Sequence, residues 1–484
     1  MRLLSAALFC LFAVAACRTQ PDAAAAFAGS SNGGSADGGA FDGGGSGTGS
    51  GGGFDGGGAP QPDPHRVGGL GVGPWPNAPL TVYGGAQGLL EAPVSASTDE
   101  AENIWVVTNR ALYLLAPGEK TFRRYTAADG LHVGPGWTDG PDITLVVGGS
   151  ANECFVGYYG HDTHDPPDKN AHTNLDPVAH LGKMDQVRLN PDRTLQVNRY
   201  DFHNSNDWRF FETRTITSAF YDHFHHPGEL YVGSNHGVTR VQPAKFRLPS
   251  TPAEKSFPPG VELEWYADHV HPWTCDVGAC DGGPNDHIVF GDFYALTMGD
   301  DGRLWMGGLS AAAAIGWTSN LQFWRNSWEP DNPFIPAMPG KGGPMVFTPP
   351  RQGGFINLRA IAVTADGTVW FASGEADSWR GPTYGLASWR DENQYHMQYT
   401  DPTAIGAPDY NVLEMVAWGD QLVLGFPSTG LLVWKPGDAK GKRMGFAEGL
   451  PGQAIGRMYI DRMVNPPQLF VPTEGGLAVL RSLP

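Results

Sequence analysis

Asp300-Asp301-Gly302-Arg303-Leu304-Trp305-Met306-Gly307-Gly308 joins an aspartate-glycine turn to a short apolar strand that carries a tryptophan. The same pattern returns as Ala365-Asp366-Gly367-Thr368-Val369-Trp370-Phe371-Ala372-Ser373. Weaker copies occur at residues 103–108, 153–157, 229–234, 421–425 and 468–473. The sequence therefore contains seven copies of one predicted β-hairpin.

The spacing of these copies indicates the fold. Their central residues are 50, 76, 74, 65, 53 and 47 residues apart when the copies are aligned on Trp105, Phe155, Tyr231, Trp305, Trp370, Val423 and Phe470. The shorter separations are close to the roughly 40 to 50 residues of a four-stranded propeller blade, and the longer ones indicate insertions. We therefore expect an all-β fold, a seven-bladed β-propeller of four-stranded antiparallel blades.

The last copy lacks a fourth strand, because only four residues follow its third strand at 476–480. Leu80-Thr81-Val82-Tyr83, followed by a glycine-rich turn, matches the fourth strands predicted at 122–125 and 443–446. We expect this N-terminal strand to complete the last blade and close the ring, which leaves few strand edges unpaired. In the blade of Trp305, the fourth strand is predicted at 321–324.

Composition and charge exclude some partners. The 484 residues include 67 glycines and 40 prolines, a profile that suits many short strands joined by turns. The net charge is -18, and no run of basic residues occurs. Binding to nucleic acid or to anionic lipid headgroups needs clustered lysine and arginine, so we expect neither as a partner.

The N-terminus predicts export and a lipid anchor. Residues 1–16 read as a signal peptide, too short for a spanning helix. Val14-Ala15-Ala16-Cys17 resembles the lipobox of bacterial lipoproteins, in which the cysteine is acylated; ordinary cleavage would instead leave Cys17 a free thiol. Residues 17–65 are rich in glycine and serine and are expected to form a disordered tether before a propeller at 66–484. We therefore predict a bacterial cell-envelope lipoprotein, at the outer membrane, with the side left open.

Three cysteines remain in the predicted propeller. Cys154 lies within a strand copy and is expected to be a buried, inert thiol. Cys275 and Cys280 lie close together in a glycine-containing loop of an exported protein. We expect these two to form a disulfide.

The repeat resembles the two-component regulator propeller repeat, found in the exported sensor portions of bacterial hybrid regulators. The resemblance rests on the unit of outer strand, Asp-Gly-Leu, inner strand, Asp-x-x-Gly-x-Leu-Trp and Gly-Leu, and covers about residues 80–482. It implies the propeller fold. Members of that family usually continue into a spanning helix and a kinase, which these residues do not contain, so the sensing role carries over only as an analogy.

The insertions predict a functional face. In an antiparallel blade, the loop from the second to the third strand and the link to the next blade emerge on the same side. Five predicted insertions fall there, and we call this side the elaborated face: residues 158–182, 201–214, 267–286, 325–354 and 374–384. Its tryptophans are candidates for stacking on a sugar or packing on a partner, with packing inside the loops as the alternative: Trp208, Trp273, Trp328 and Trp379.

The same face carries candidate ligands for a divalent metal: His161, Asp162, His164, His203, His269, His271 and His287. Their spacing matches no strong zinc signature, and solvated loop histidines are the alternative. His223, His225 and His226 are expected in a short turn on the opposite side, as plain surface. Asp300, Asp301 and Asp366 are interpreted as turn formers rather than calcium ligands.

The sequence therefore favours a monomeric, non-enzymatic binding module that recognises a protein or a glycan through the elaborated face, without a cofactor. Outside the glycine-rich segment at 17–65, it contains no Gly-x-Ser-x-Gly motif, phosphate loop or dinucleotide fingerprint that would suggest covalent or nucleotide chemistry. The alternative is a metal-dependent lyase or hydrolase that uses the histidines and aspartates of that face.

Overall fold

The computed structural model describes residues 73–134, 142–159, 184–201, 216–225, 227–234, 237–247, 263–270, 273–275, 286–288, 294–308, 311–315, 346–347, 358–373, 385–390 and 398–484. All of them belong to one compact unit, Ala59–Pro484. No α-helix occurs in these ranges, which contain β-strands, three 3-10 turns and irregular segments. Among them no helix has the length and apolar composition needed to cross a membrane.

Four sheets each consist of four strands that are consecutive in the chain and antiparallel. Their strands have the following bounds: β2 Ser95–Thr98, β3 Ile104–Val107, β4 Leu112–Leu115, β5 Arg123–Tyr125; β16 Ala295–Met298, β17 Leu304–Gly308, β18 Ala311–Ile315, β19 Val346–Phe347; β20 Leu358–Val363, β21 Val369–Ser373, β22 Leu386–Trp389, β23 Gln398–Thr400; β24 Glu414–Trp418, β25 Gln421–Gly425, β26 Leu431–Trp434, β27 Lys442–Met444.

An eight-stranded sheet contains two further sets of four strands. These are β6 Asp142–Gly148, β7 Glu153–Tyr159, β8 Met184–Leu189, β9 Leu195–Asp201; β10 Ile216–Asp222, β11 Glu229–Ser234, β12 Gly237–Arg247, β13 Leu263–Val270. Each set is antiparallel, and a short parallel pairing of β9 with β13 joins them, with Tyr200 opposite Leu263. The prediction of an all-β fold built from four-stranded antiparallel sheets is therefore confirmed.

The last sheet draws its strands from both ends of the described chain: β28 Tyr459–Asp461, β29 Gln468–Thr473, β30 Gly476–Leu480 and β1 Leu80–Tyr83. β1 lies antiparallel beside β30, with Leu80 opposite Leu480 and Tyr83 opposite Leu477. As the sequence predicts, the N-terminal strand supplies the fourth strand of this sheet.

One turn motif explains why the N-terminal strand could be identified. A 3-10 turn follows β1 at Gly85–Gln87, β5 at Ala127–Asp129 and β27 at Phe446–Glu448. Each ends on a glycine with positive φ, as Gly88 does at 81°. A side chain at Gly88 would bring a Cβ to 3.1 Å from the Phe122 carbonyl oxygen, so both the conformation and the space favour glycine.

The first strands of the sheets contact one another in order. β2 contacts β6, β6 contacts β10, and the series continues through β16, β20, β24 and β28. β28 in turn contacts β2, and a parallel bridge joins Arg457 to Ser95 beside them. The first strands thus lie together on the inside, and the fourth strands lie away from them.

Aromatic residues of the repeat fill the space between neighbouring sheets. Trp305 of β17 is 1% exposed, and its ring lies 5.9 Å from Phe371 and 5.4 Å from Trp389 of the next sheet. Trp370 repeats this contact with Trp434 one sheet further on, at 5.4 Å. The hairpin that dominates the sequence therefore serves the scaffold.

Two boundaries differ from the sequence prediction. The strand that pairs with β18 is Val346–Phe347, with Phe347 opposite Ala312, and not residues 321–324. The prediction of an insertion at 325–354 after the fourth strand is wrong for the same reason, because that range contains the strand. β13 extends to Val270, so it includes the first residues of the insertion predicted at 267–286. An antiparallel pair follows, β14 Trp273–Cys275 with β15 Asp286–Ile288, which begins inside that segment and ends after it.

Three acidic side chains are buried where the first and the last sheets meet. Asp99 accepts hydrogen bonds from Trp105 Nε1 at 2.8 Å and from Asn103, while burial raises its pKa to about 6. The Gln468 amide donates to Glu102 Oε2 at 3.4 Å and to Asp461 Oδ2 at 3.2 Å. Burial, and then the negative charges of Asp461 and Asp99, raise the pKa of Glu102 well above its ordinary value. Glu102 Oε1 is buried with no hydrogen-bond partner in the described part of the chain.

Trp305→Ala is expected to lower the free energy of unfolding by about 3–5 kcal/mol, because it empties a closely packed site between two sheets. Urea denaturation followed by tryptophan fluorescence and circular dichroism measures the change. Leu90→Ala is the control, since Leu90 is 73% exposed and its loss should change stability by less than about 0.5 kcal/mol. Equal losses in the two variants would contradict the assigned packing.

Glu102→Gln is expected to reduce the pH dependence of stability. A pKa raised by folding stabilises the native state fully below the ordinary value of 4.5, and this contribution is lost as the pH rises through the folded pKa. The variant should gain on the order of 1–3 kcal/mol relative to wild type between about pH 5 and pH 9. Denaturant titrations at several pH values measure it, with Glu119→Gln in a partly exposed ion pair as control. Parallel pH profiles for wild type and Glu102→Gln would disprove the shift.

Candidate functional site

The first strands surround a cavity of about 200 Å³. Six of the seven first strands line it, all except β2. Most of the lining is apolar, from side chains such as Leu296, Ile361 and Val416. The charged groups lie where the strands begin and where they end. The cavity therefore has an apolar middle and two charged ends.

Contacts between side chains define the two ends. Residues at the starts of the first strands interact with one another, and we call this group the start cluster: Tyr294, Arg359, Glu414 and Arg457. Residues at the strand ends form a second group, the end cluster: Asp222, His223, Asp300 and Arg462. Both sets depend on the common direction of the first strands, which the fold imposes.

Arg457 reaches across the cavity. Its backbone N–H donates to the Val94 carbonyl oxygen beside β2, at 2.8 Å. Its guanidinium Nη2 donates to the carbonyl oxygen of Thr217 in β10, at 2.5 Å. Since β28 and β10 are three first strands apart, this side chain spans the opening at the start of the strands.

Arg359 lies over an aromatic ring in the same opening. Its guanidinium carbon is 3.9 Å from the centre of the Tyr294 ring. This distance is within the range of a cation–π contact, which uses the flat face of the guanidinium. Arg359 Nε is buried and has no hydrogen-bond partner within the described residues.

Glu414 adds a carboxyl group to the start cluster. Burial raises its pKa to about 7, while the charges of Arg457 and Arg359 and the backbone N–H of Met458 oppose the shift. Burial thus brings the pKa of this carboxyl close to neutrality. The start cluster thus combines two guanidinium groups with one carboxyl that loses its charge readily.

The end cluster is more fully paired. Arg462 Nη2 donates to the Ala417 carbonyl oxygen at 3.0 Å, and its Nη1 lies 3.9 Å from Asp300 Oδ1. Asp222 Oδ1 accepts from the backbone N–H groups of Phe224 and His225 at 2.9 and 2.8 Å. These bonds hold the turn after β10, so Asp222 has a structural role.

His223 and His225 lie in the turn predicted from the sequence but line the cavity. The His223 side chain is 9% exposed, its ring centre is 4.7 Å from that of Tyr221, and Nδ1 is 3.4 Å from Glu100 Oε1. The prediction of plain surface is therefore wrong for His223. β10 ends at Asp222, so the next residues overhang the inner opening; His226 lies outside the described residues.

A histidine-carboxylate pair lies outside the cavity. His132 follows the 3-10 turn after β5, and its Nδ1 is 2.6 Å from Oδ1 of the fully buried Asp185. Tyr158 donates its hydroxyl to Asp185 Oδ2 at 2.5 Å. This pair orients an imidazole that is partly exposed. Sequence reasoning missed it, because 53 residues separate the partners and no motif links them.

The sequence-predicted site residues fall mostly beyond the described ranges. Outside them lie Cys17, His161, Asp162, His164, His203, Trp208, His271, Cys280, Trp328 and Trp379. Four others lie in strands: His269 in β13, Trp273 and Cys275 in β14, and His287 in β15. The metal site, the tryptophan surface and the disulfide therefore stay predictions. Within the described ranges, no three His, Cys, Asp or Glu side chains are grouped so that they could share a metal ion.

Two smaller predictions are confirmed. Cys154 is a free, buried thiol. Asp301 Oδ1 accepts from the Arg303 N–H at 3.0 Å and Asp366 Oδ1 accepts from the Thr368 N–H at 3.1 Å, beside Gly302 and Gly367 with positive φ. Both aspartates are turn formers. Asp300 instead lies at the cavity.

No family model matches the chain, and no curated protein does. Solved structures are similar to it. One is the extracellular domain of a putative hybrid two-component system from B. thetaiotaomicron, with a TM-score of 0.49 and 12% identity over 84% of this chain. This chain spans 42% of the length of that one.

Two further structures cover similar shares of the chain. YCF48 bound to D1 peptide has a TM-score of 0.45 and 11% identity, covering 84% of this chain and 98% of that one. A chain of the mitotic checkpoint complex has a TM-score of 0.44 and 10% identity, covering 82% and 94%.

Proposed function

We propose that this chain is an exported recognition module, a closed seven-bladed β-propeller that binds a protein or a glycan at the opening of its central cavity. Residues 1–16 are the signal peptide, Cys17 carries a lipid, 17–65 form a disordered tether, and 66–484 form the propeller. The protein acts as a monomer at the bacterial outer membrane. Its elaborated face surrounds the opening that contains the start cluster.

Strand contacts support the closed ring. The first strands contact one another in a series that returns from β28 to β2. The pairing of β1 with β30 supplies the last sheet with the fourth strand that its own segment lacks. Closure of this kind removes long unpaired edges, which otherwise favour aggregation.

The convergence of charged groups at one end of the cavity carries the proposal for binding. Tyr294, Arg359, Glu414 and Arg457 come from four different sheets and meet where the first strands begin. The links that lead into first strands, and the loops between second and third strands, emerge at this end of each antiparallel blade. A cavity with a few convergent polar groups, bordered by loops on a rigid scaffold, is the usual form of a ligand site.

The alternative remains a metal-dependent lyase or hydrolase. Its candidate ligands are the residues that the sequence predicts for the elaborated face: His161, Asp162, His164, His203, His269, His271 and His287. Of these, His269 lies in β13 and His287 in β15. The His132–Asp185 pair would supply an oriented base. Stoichiometric zinc or another divalent metal in the purified chain, lost in His161→Ala, would favour this alternative.

The wild-type chain is first screened on arrays of glycans and of envelope-protein peptides. Val416→Trp is expected to abolish binding to the ligands found in this way, because the indole would fill the cavity below its opening. Leu90→Trp, at an exposed position, should bind as wild type. Circular dichroism and the unfolding midpoint check that both variants fold. Unchanged binding by a folded Val416→Trp would refute the proposed site.

Cys17→Ser is expected to abolish incorporation of an alkyne-labelled fatty acid when the full chain is expressed in a Gram-negative host. Wild type should be labelled and should fractionate with the outer membrane. Cys154→Ser, at a buried thiol, is the control and should be labelled as wild type. An unlabelled wild-type chain that begins at Ala16 would support ordinary cleavage instead.

A further inference from the structure

We infer that the start cluster binds a small organic monocarboxylate, with the carboxylate between Arg359 and Arg457 and an apolar body in the cavity. This inference rests on the proposed use of the cavity as a ligand site and specifies the chemistry that it accepts.

The unpartnered donor of Arg359 is the first observation. Its guanidinium carbon lies 3.9 Å from the centre of the Tyr294 ring. The Nε of Arg359 is buried without a hydrogen-bond partner in the described part of the chain. A buried unpaired donor costs about 1–3 kcal/mol, and more when it belongs to a charged group. An acceptor with two oxygens in one plane would satisfy this edge of the guanidinium in a bidentate manner.

Arg457 supplies a second set of donors at the same opening. Of the five N–H donors of its guanidinium, Nη2 is directed to the Thr217 carbonyl oxygen. This bond fixes the group across the cavity instead of leaving it free in solvent. Arg359, Glu414 and Arg457 all line the cavity where the first strands begin, so the two guanidinium groups belong to the same opening.

The charges at this opening suit a monoanion. The start cluster contains two guanidinium groups and one carboxyl, which leaves a net positive charge at this opening in a protein whose overall charge is -18. One carboxylate neutralises that excess. The pKa of Glu414, raised to about 7, allows this carboxyl to take up a proton when a second carboxylate arrives and then to donate a hydrogen bond to it. The other charged groups of the cavity, His223, His225, Asp300 and Arg462 among them, belong to its opposite end.

The size and lining of the cavity specify the rest of the ligand. A cavity of about 150 Å³ with an apolar lining binds benzene, and pockets for drug-sized ligands have about 300–1,000 Å³. The volume of about 200 Å³ found here therefore suits a body of benzene size that carries one small polar group. Leu296, Ile361 and Val416 offer such a body an apolar wall.

Benzoate is the probe, titrated into the full-length chain at neutral pH and followed by isothermal calorimetry and by ligand-observed NMR. Benzamide has the same shape without the charge and should bind at least about tenfold more weakly. Acetate lacks the apolar body and should also bind more weakly than benzoate. Inorganic phosphate should bind more weakly as well, because it carries more negative charge than benzoate and has no apolar part. Equal affinity for benzoate and benzamide, or tighter binding of phosphate than of benzoate, would overturn the inference.

Variants locate the binding site. Arg359→Met and Arg457→Met should each weaken benzoate at least about tenfold, Arg359→Lys should weaken it to a smaller extent, and Glu414→Gln should tighten it because a competing negative charge is lost. Arg443→Met removes a guanidinium from an exposed strand and should leave the affinity unchanged. The unfolding midpoint identifies any variant that fails to fold. If Arg359→Met does not fold, Arg359→Lys still tests the site, because it keeps the positive charge. Benzoate affinity that is the same in Arg359→Lys, Glu414→Gln and wild type would refute the assigned site.

Failure of this inference can be told apart from failure of the proposed function. If benzoate does not bind but Val416→Trp still abolishes binding on the arrays, the cavity is the ligand site and the carboxylate chemistry is wrong. If benzoate binds with the expected dependence on Arg359 and Arg457 while Val416→Trp leaves array binding unchanged, the carboxylate site stands and the proposed recognition site does not.

Discussion

The pairing of β1 with β30 is the interaction on which the rest of the structure depends. Four residues from the N-terminal side, Leu80–Tyr83, lie against Leu477 to Leu480 and complete the last sheet. Without them β30 would be an edge strand with unpaired N–H and C=O groups. The last sheet also carries β28, so its completion helps to fix the position of the segment that flanks the cavity.

β28 connects this constraint to the site. It has only three residues, Tyr459–Asp461, and an arginine lies close to each end of it. Arg457 reaches Thr217 across one opening, and Arg462 reaches Ala417 and Asp300 at the other. Two side chains from one short segment therefore cross the two ends of the cavity. The positions of these two side chains depend on β28, which pairs with β29 on one side and contacts β2 on the other.

Local pattern predicted much of the scaffold and little of the site. The turn at Asp301 and Gly302, the packing of Trp305 and the role of Leu80–Tyr83 all follow from residues that are close in sequence or from a motif that repeats. Val346–Phe347 could not be predicted in this way, because two residues have no periodicity and a better apolar pattern lies at 321–324.

The candidate site depends on distance in space. Arg359, Glu414 and Arg457 belong to three different sheets, and each taken alone is an ordinary charged residue beside a strand. Their approach follows only once the first strands are placed side by side in the same direction. The aspartates of the turns showed the opposite behaviour, since their partners are two residues away and the motif alone identifies their role.

The charge of the whole molecule sharpens the selectivity expected of the cavity. A protein of net charge -18 repels polyanions at long range, although salt limits this repulsion to a distance of about 8 Å at physiological ionic strength. Inside the opening the guanidinium groups of Arg359 and Arg457 act at short range and away from bulk water, where charges interact more strongly. A small monoanion is repelled only weakly by the net negative charge of the protein and is attracted by both guanidinium groups once it is inside the opening. A large polyanion is repelled along most of its length. If the start cluster binds a carboxylate as proposed, we expect the same distribution of charge to admit small anions and to disfavour nucleic acid and other polyanions.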